Sequence, residues 1–119
     1  MTTVRTTLSG ATQGTGIKVA STDSSAQGEI VHTHGDTIND SRFDEVYLYA
    51  YNSHTTSVTL TLQWGGVTSP DNLISISIAS GSFLTVVPGM HIGGAKTVSA
   101  TASDANKVIL YGHVLAHTL

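Results

Sequence analysis

Residues Phe43 to Gly66, "FDEVYLYAYNSHTTSVTLTLQWGG", alternate with a period of two on either side of a polar turn. In the first half Val46, Leu48 and Ala50 share one face of a strand, and Tyr47, Tyr49 and Tyr51 share the other. In the second half Val58, Leu60, Leu62 and Trp64 alternate with Thr59, Thr61 and Gln63, the pattern of a half-buried strand. The pair therefore reads as two β-strands joined by a hairpin loop over 52–57. The first strand is unusual because neither face is plainly polar. Its tyrosine row either packs in a core with hydroxyls reaching the rim, or forms a contact with another subunit.

The same period recurs outward from this pair. Strands are expected over Gly16–Ala20, Glu29–Thr33 and Leu73–Ala79, the last with Ile74, Ile76 and Ile78 on one face. Phe83–Val87 is expected to stop at Pro88-Gly89, a good turn pair. Lys96–Ala102 alternates through Val98 and Ala100, and Lys107–Ala116, "KVILYGHVLA", reads as a strand covered on both faces. Polar loops are expected over 21–27 and 34–42, and a turn over 68–72. No window holds a helical period. The expected fold is all-β, a single-domain β-sandwich or jelly roll over residues 16–119, with residues 1–15 as an N-terminal arm or edge strand.

Composition narrows the function. The 119 residues hold no cysteine, which excludes disulfides and thiolate metal sites. The net charge is −3 and only 11% of residues are charged, against about a quarter in ordinary soluble domains. Arg5, Lys18, Arg42, Lys96 and Lys107 are scattered, so no basic footprint for nucleic acid exists. No apolar run is long enough for a membrane helix, and "MTTVRTT" lacks the apolar core of a signal peptide. Serine, threonine and 12 glycines supply a neutral, hydrogen-bonding surface that suits a protein surrounded by other protein.

Chemistry-bearing motifs are sparse. Of the six histidines, His32 and His34 would share one face of a strand, a spacing used by metal sites. "PGMH", Pro88 to His91, is similar to the second metal motif of cupins. The glutamate that should follow the paired histidines is missing, with Ile38, Asn39 and Asp40 in its region. No G-x-S-x-G elbow or phosphate loop occurs, and Asp44 and Glu45 fall on opposite faces of a strand. No catalytic residue, metal or other cofactor is expected.

The order "FDEVYLYAYN … VTLTLQWGG … PDNLISISIASGSFLTVVPGMHIGG … TVSATASDANKVILYGHV" resembles a family of small tailed-phage and prophage virion proteins. The resemblance spans about Phe43 to Val114. "TLQWGG", "VVPG" and "ANKVILYGHV" are its most specific pieces. It implies a β-sandwich that decorates or cements the phage capsid, assembled in the bacterial host cytoplasm and placed on the capsid surface of the virion. The implied partners are the major capsid protein and further copies of the chain, with a trimer favoured. In that setting Tyr47, Tyr49 and Tyr51 are the expected subunit interface. Thr2, Thr3, Val4, Arg5, Thr6, Thr7 and Leu8 are the expected capsid-contacting arm, since an extended segment can add a strand to a neighbour's sheet. The alternatives are a tail, fibre or baseplate β-domain, and a carbohydrate-binding module with the aromatic rings as a stacking platform.

Low charge and a strand apolar on both faces predict self-association. Light scattering at micromolar concentration is expected to give a mass above the 12.4 kDa protomer, with the trimer as the leading value. A protomer mass would remove the interface.

Overall fold

The computed structural model describes residues 2–35 and 42–118. The chain forms strands β1 (Thr2–Thr7), β2 (Ile17–Lys18), β3 (Glu29–Thr33), β4 (Arg42–Asn52), β5 (Val58–Trp64), β6 (Leu73–Ile78), β7 (Phe83–Ile92), β8 (Thr97–Ala102) and β9 (Val108–Thr118). All pairing is antiparallel, in two sheets. The first, sheet A, runs β1-β9-β4-β7, with β2 beside β1 on the same edge of β9. The second, sheet B, runs β3-β8-β5-β6. The pairs β1·β9, β3·β8, β4·β7 and β5·β6 are nested, as if one long hairpin had been rolled up. That winding makes the sandwich a jelly roll.

The two sheets meet through their alternate residues. β4 contributes Val46, Leu48 and Ala50, and β9 contributes Val108, Leu110 and Val114. β5 and β8 answer with Val58, Leu60, Leu62, Val98, Ala100 and Ala102, all nearly inaccessible. Each large side chain so buried is stabilising by about 1.5–3 kcal/mol relative to exposure. Trp64 packs against this cluster, as its shared face with Leu60 and Leu62 predicts, and its Nε1–H donates to the His91 carbonyl.

The segment 52–57 is not a hairpin loop but a crossing between sheets, since β4 lies in sheet A and β5 in sheet B; four further expectations are corrected. First, β7 does not stop at Pro88-Gly89 but continues to Ile92. It is an edge strand, where proline's missing N–H costs no ladder bond. The register against β4 shifts between Val46 and Tyr47, leaving Gly89 as the extra residue with φ of 107°. Second, β9 is central in its sheet but is not covered on both faces. Its outward residues Ile109, Tyr111, His113, Leu115 and His117 are only partly buried or exposed.

Third, the strand buried on both faces is β8, where Ser99 and Thr101 are also buried. The segment before β3 crosses that face and is fixed by Gln63, which alternation alone assigns to solvent. Gln63 is fully buried: its Oε1 accepts from the Gly28 N–H and the Ser99 hydroxyl, and its Nε2 donates to the carbonyls of Ser24 and Ala26. Fourth, the arm expected over Thr2 to Leu8 divides. Thr2–Thr7 form an exposed edge strand, but Leu8 is 1% exposed within the core and is not available to a partner. The polar loop expected over 34–42 falls mostly outside the described residues.

Gln63→Leu keeps the approximate volume and removes every one of these hydrogen bonds. Because buried donors and acceptors left unpaired cost about 1–3 kcal/mol each, a loss of about 3 kcal/mol in urea unfolding is expected. The segment 21–28 should become sensitive to protease, while β4 and β9 stay protected.

Candidate functional site: the outer face of sheet A

With Val46, Leu48 and Ala50 turned inward, alternation turns Phe43, Glu45, Tyr47, Tyr49 and Tyr51 outward. The tyrosine row is therefore on the outer surface of the sandwich and not in its core. Ladder pairing sets a second row beside it: His117 opposite Phe43, His113 opposite Tyr47, Tyr111 opposite Tyr49 and Ile109 opposite Tyr51. On the other side β7 places Phe83 opposite Tyr51 and His91 opposite Glu45.

The ring contacts form two groups, bridged by Glu45. His113 stacks on Tyr47 at 4.8 Å and 10°, and Tyr49 lies 6.2 Å from Phe83 at 14°. Phe83 also meets Tyr111 at 6.0 Å, while Phe43 contacts His91 at 4.5 Å and His117 at 4.9 Å. Phe83 is 60% exposed, and Tyr51 and Tyr111 are each 36% exposed. The aromatic end of the face is thus open to a partner, whereas Tyr47 and Tyr49 are half-buried by their neighbours.

A polar chain crosses the other end. Thr3 Oγ1 lies 2.9 Å from His117 Nδ1, and His117 Nε2 lies 2.9 Å from Glu45 Oε1. The Tyr47 hydroxyl donates to Glu45 Oε2. Gly89 makes this possible, since a Cβ there would come within 2.9 Å of Glu45 Oε2 and 3.1 Å of the Tyr47 ring. The hydrogen bond from Tyr47, then that from His117, holds the Glu45 carboxyl below its ordinary pKa. The same bond to Glu45 raises the Tyr47 phenol. Burial, then the Arg5 charge, lowers the pKa of His113.

The paired histidines of the sequence lie elsewhere. His32 is buried, with Nε2 2.6 Å from Asp44 Oδ2 and Nδ1 accepting the Ser9 N–H at 3.0 Å. His34 Nδ1 accepts the Ala95 N–H at 3.4 Å. His91 of "PGMH" sits on edge strand β7 against Phe43. Among the described residues no group of three or more His, Asp or Glu is arranged to hold a metal. An open cleft of 340 Å³ lies at one end of the face, bordered by His34, Arg42, Asp44 and His117.

The structure brings Tyr47, Tyr49 and Tyr51 together as expected and adds Phe43, Phe83, Tyr111, His113 and His117. The added residues of β9 carry their own alternation, but an apolar strand in sequence looks alike whether one or both faces are covered.

The chain is an antiparallel jelly-roll sandwich. No protein-family model and no curated protein matches it. Among solved structures it is similar to a chain described as "Bacillus endospore appendages form a novel family of disulfide-linked pili". The TM-score is 0.53 and the sequence identity 21%, covering 99% of this chain and 89% of that one. At that identity the likeness is one of fold. These 119 residues contain no cysteine, so they have no counterpart to the disulfide linkage of that protein.

Both pKa shifts cost stability on acidification, in different pH windows. Glu45 has a depressed folded pKa, so its contribution is present above the ordinary carboxylate value and is lost as pH falls through the folded one. His113 favours its neutral form in the fold, so stability declines as pH drops below its ordinary value near 6.5, where the unfolded chain takes up the proton first. NMR titration is expected to place the His113 midpoint below the ordinary histidine value and to restore it toward that value in Arg5→Gln. An unshifted midpoint in the native chain would overturn the assignment.

Proposed function

We propose that this chain is a non-enzymatic structural subunit of a virion that decorates and stabilises a phage capsid, with the outer face of sheet A as its assembly surface. The observation that carries this reading is the exposed aromatic patch of Tyr51, Phe83 and Tyr111, with half-buried Tyr49 beside it, on the outer face of sheet A. Aromatic residues are enriched in the cores of protein interfaces, where an apolar ring and a polar tip both find partners. The order of motifs from Phe43 to Val114 points to the virion and to the major capsid protein as partner. Weak contacts repeated over an oligomer bind a regular lattice tightly by avidity. Three copies arranged about a threefold axis suit that geometry.

A second reading, a subunit of a surface appendage, is favoured by the fold likeness over nearly the whole chain. It requires the chain to polymerise by itself, through contacts other than disulfides.

The experiment is to mix the purified chain with phage heads that lack it and to sediment the mixture. Stoichiometric co-sedimentation supports the capsid reading. Filaments in negative stain without head binding support the appendage reading, and neither outcome would remove both. Tyr49→Ala tests the face itself. Truncating a buried interface aromatic costs about 2 kcal/mol or more, some thirtyfold in affinity per site. The variant is expected to stay folded by circular dichroism and to lose assembly by sedimentation. Full assembly of the variant would exclude this face as the subunit contact.

A further inference from the structure

Sheet A ends in β7 on one side and in β1 with β2 on the other, and sheet B ends in β3 and β6. Edge strands carry unpaired backbone groups that recruit other strands, and charge, proline or a bulge normally guards them. β1 and β2 bear exposed Arg5 and Lys18. β3 has a register shift between Ile30 and His32, and β7 has Pro88 and two register shifts. β6 has no such guard. Its ladder with β5 runs without a shift, and "LISISI" holds no charge, proline or glycine. Its surroundings in sequence are equally neutral: between Glu45 and Lys96 the only Asp, Glu, Lys or Arg is Asp71.

The hydrogen-bonding pattern shows what the open side of β6 offers. The Trp64 N–H donates to the Asn72 carbonyl, so by alternation the backbone groups of Ile74, Ile76 and Ile78 also face β5. Those of Leu73, Ser75 and Ser77 face away from it. The Leu73 N–H is taken by the Pro70 carbonyl at 3.3 Å. Among the described residues nothing receives the N–H of Ser75 or Ser77. Ser75 and Ser77 are exposed, and Ile74 and Ile76 are only partly buried.

A second copy of the same strand complements this edge. Opposed residues of an antiparallel ladder share a face, so a twofold axis pairs serine with serine and isoleucine with isoleucine. Centred on Ser75, it sets Ser75 against Ser75, Leu73 against Ser77 and Ile74 against Ile76 of the second copy. The outward groups of Ser75 and Ser77 are then met within the strand. A centre on Ile76 would need Ala79, beyond the strand end. On the outer face the Thr61 and Ser75 hydroxyls, 3.2 Å apart, are continued by the same pair of the second copy. On the other face the partly buried isoleucines cover one another. The two Asp71 residues fall about eight positions apart along the ladder, roughly 27 Å, where their repulsion is screened.

We propose that β6 is a self-pairing edge: two copies join antiparallel through Leu73–Ser77, and sheet B runs on across both. Extension of a sheet at its edge is a recurrent mode of recognition. The contact is short and therefore weak in dilute solution, and it gains strength where copies are held close together. It leaves the outer face of sheet A free and does not depend on the capsid reading.

The chain has no cysteine, so a single introduced thiol reports a single contact. Ser75→Cys would place two thiols on directly opposed residues, with Cα atoms about 5.5 Å apart and within disulfide range. Under mild oxidation of the full chain, Ser75→Cys is expected to form a covalent dimer about tenfold or more faster than Thr59→Cys. Thr59 is exposed on the same face, one strand inward. Adding Ser77→Pro removes an N–H that β5 does not use, and should slow the Ser75→Cys dimer toward the Thr59→Cys rate. Equal rates for the two cysteine variants overturn the proposal, as does a Ser77→Pro chain that folds and cross-links undiminished. A mixed dimer of Ser75→Cys with Thr6→Cys that outpaces the Ser75→Cys homodimer would put β1 of another copy on this edge, and also overturns it. In the Tyr49→Ala background the Ser75→Cys dimer is expected to persist, and its loss there overturns the proposal. Full assembly of Tyr49→Ala itself bears on the ring face alone. Should Ser77→Pro fail to fold, the comparison of the single cysteine variants decides.

Discussion

The packing of Val46, Leu48 and Ala50 against the inward side chains of the opposite sheet is the interaction on which the rest of the molecule depends. β4 is the longest contact line in sheet A, flanked by β9 along its whole length and by β7 on the other side. A slip of one residue in β4 would expose these aliphatic side chains and drive the tyrosines into a space built for smaller groups. The aliphatic face thus fixes the register, and the register in turn fixes which rings face out. The outer surface is a consequence of the core, residue by residue.

The same register creates the electrostatics of the face. Glu45 is outward because Val46 is inward, and this puts its carboxylate between Tyr47, His117 and the bulge at Gly89. Asp44, one residue back, turns the other way and meets His32 from β3. Adjacent acids on one strand so serve two different histidines, one pair partly open and the other buried. Neither arrangement gathers enough ligands for a metal among the described residues, and each of these histidines is held instead between two hydrogen-bond partners.

Polar residues decide where the sandwich is more than two layers deep. Gln63 and Ser99 lie on the outer side of sheet B, yet both are buried because the chain before β3 crosses over them. Three of the four hydrogen bonds of the Gln63 amide satisfy two carbonyls and an N–H of that crossing segment, and the fourth ties the amide to Ser99 of β8. Among the described residues no such segment covers the outer side of sheet A, which leaves its rings to neighbours within the sheet and to partners.

Much of the architecture is legible in the residues themselves. The period of two sets the strands, Gly, Pro and polar clusters mark most of the turns, and the aliphatic face of β4 is plain from Val46, Leu48 and Ala50. What local pattern does not contain is what lies above each face. "KVILYGHVLA" and "TVSATA" differ little in what they promise, yet β9 has one open side and β8 has none. Pro88-Gly89 reads as a turn pair that ends a strand, but on an edge strand a proline has no ladder bond to break and the strand runs on. Alternation is a property of a few consecutive residues, so the sequence determined the strands and their two faces. Coverage, edge position and the meeting of Thr3, His117 and Glu45 depend on segments far apart in the chain, so only the rolled tertiary structure decided them.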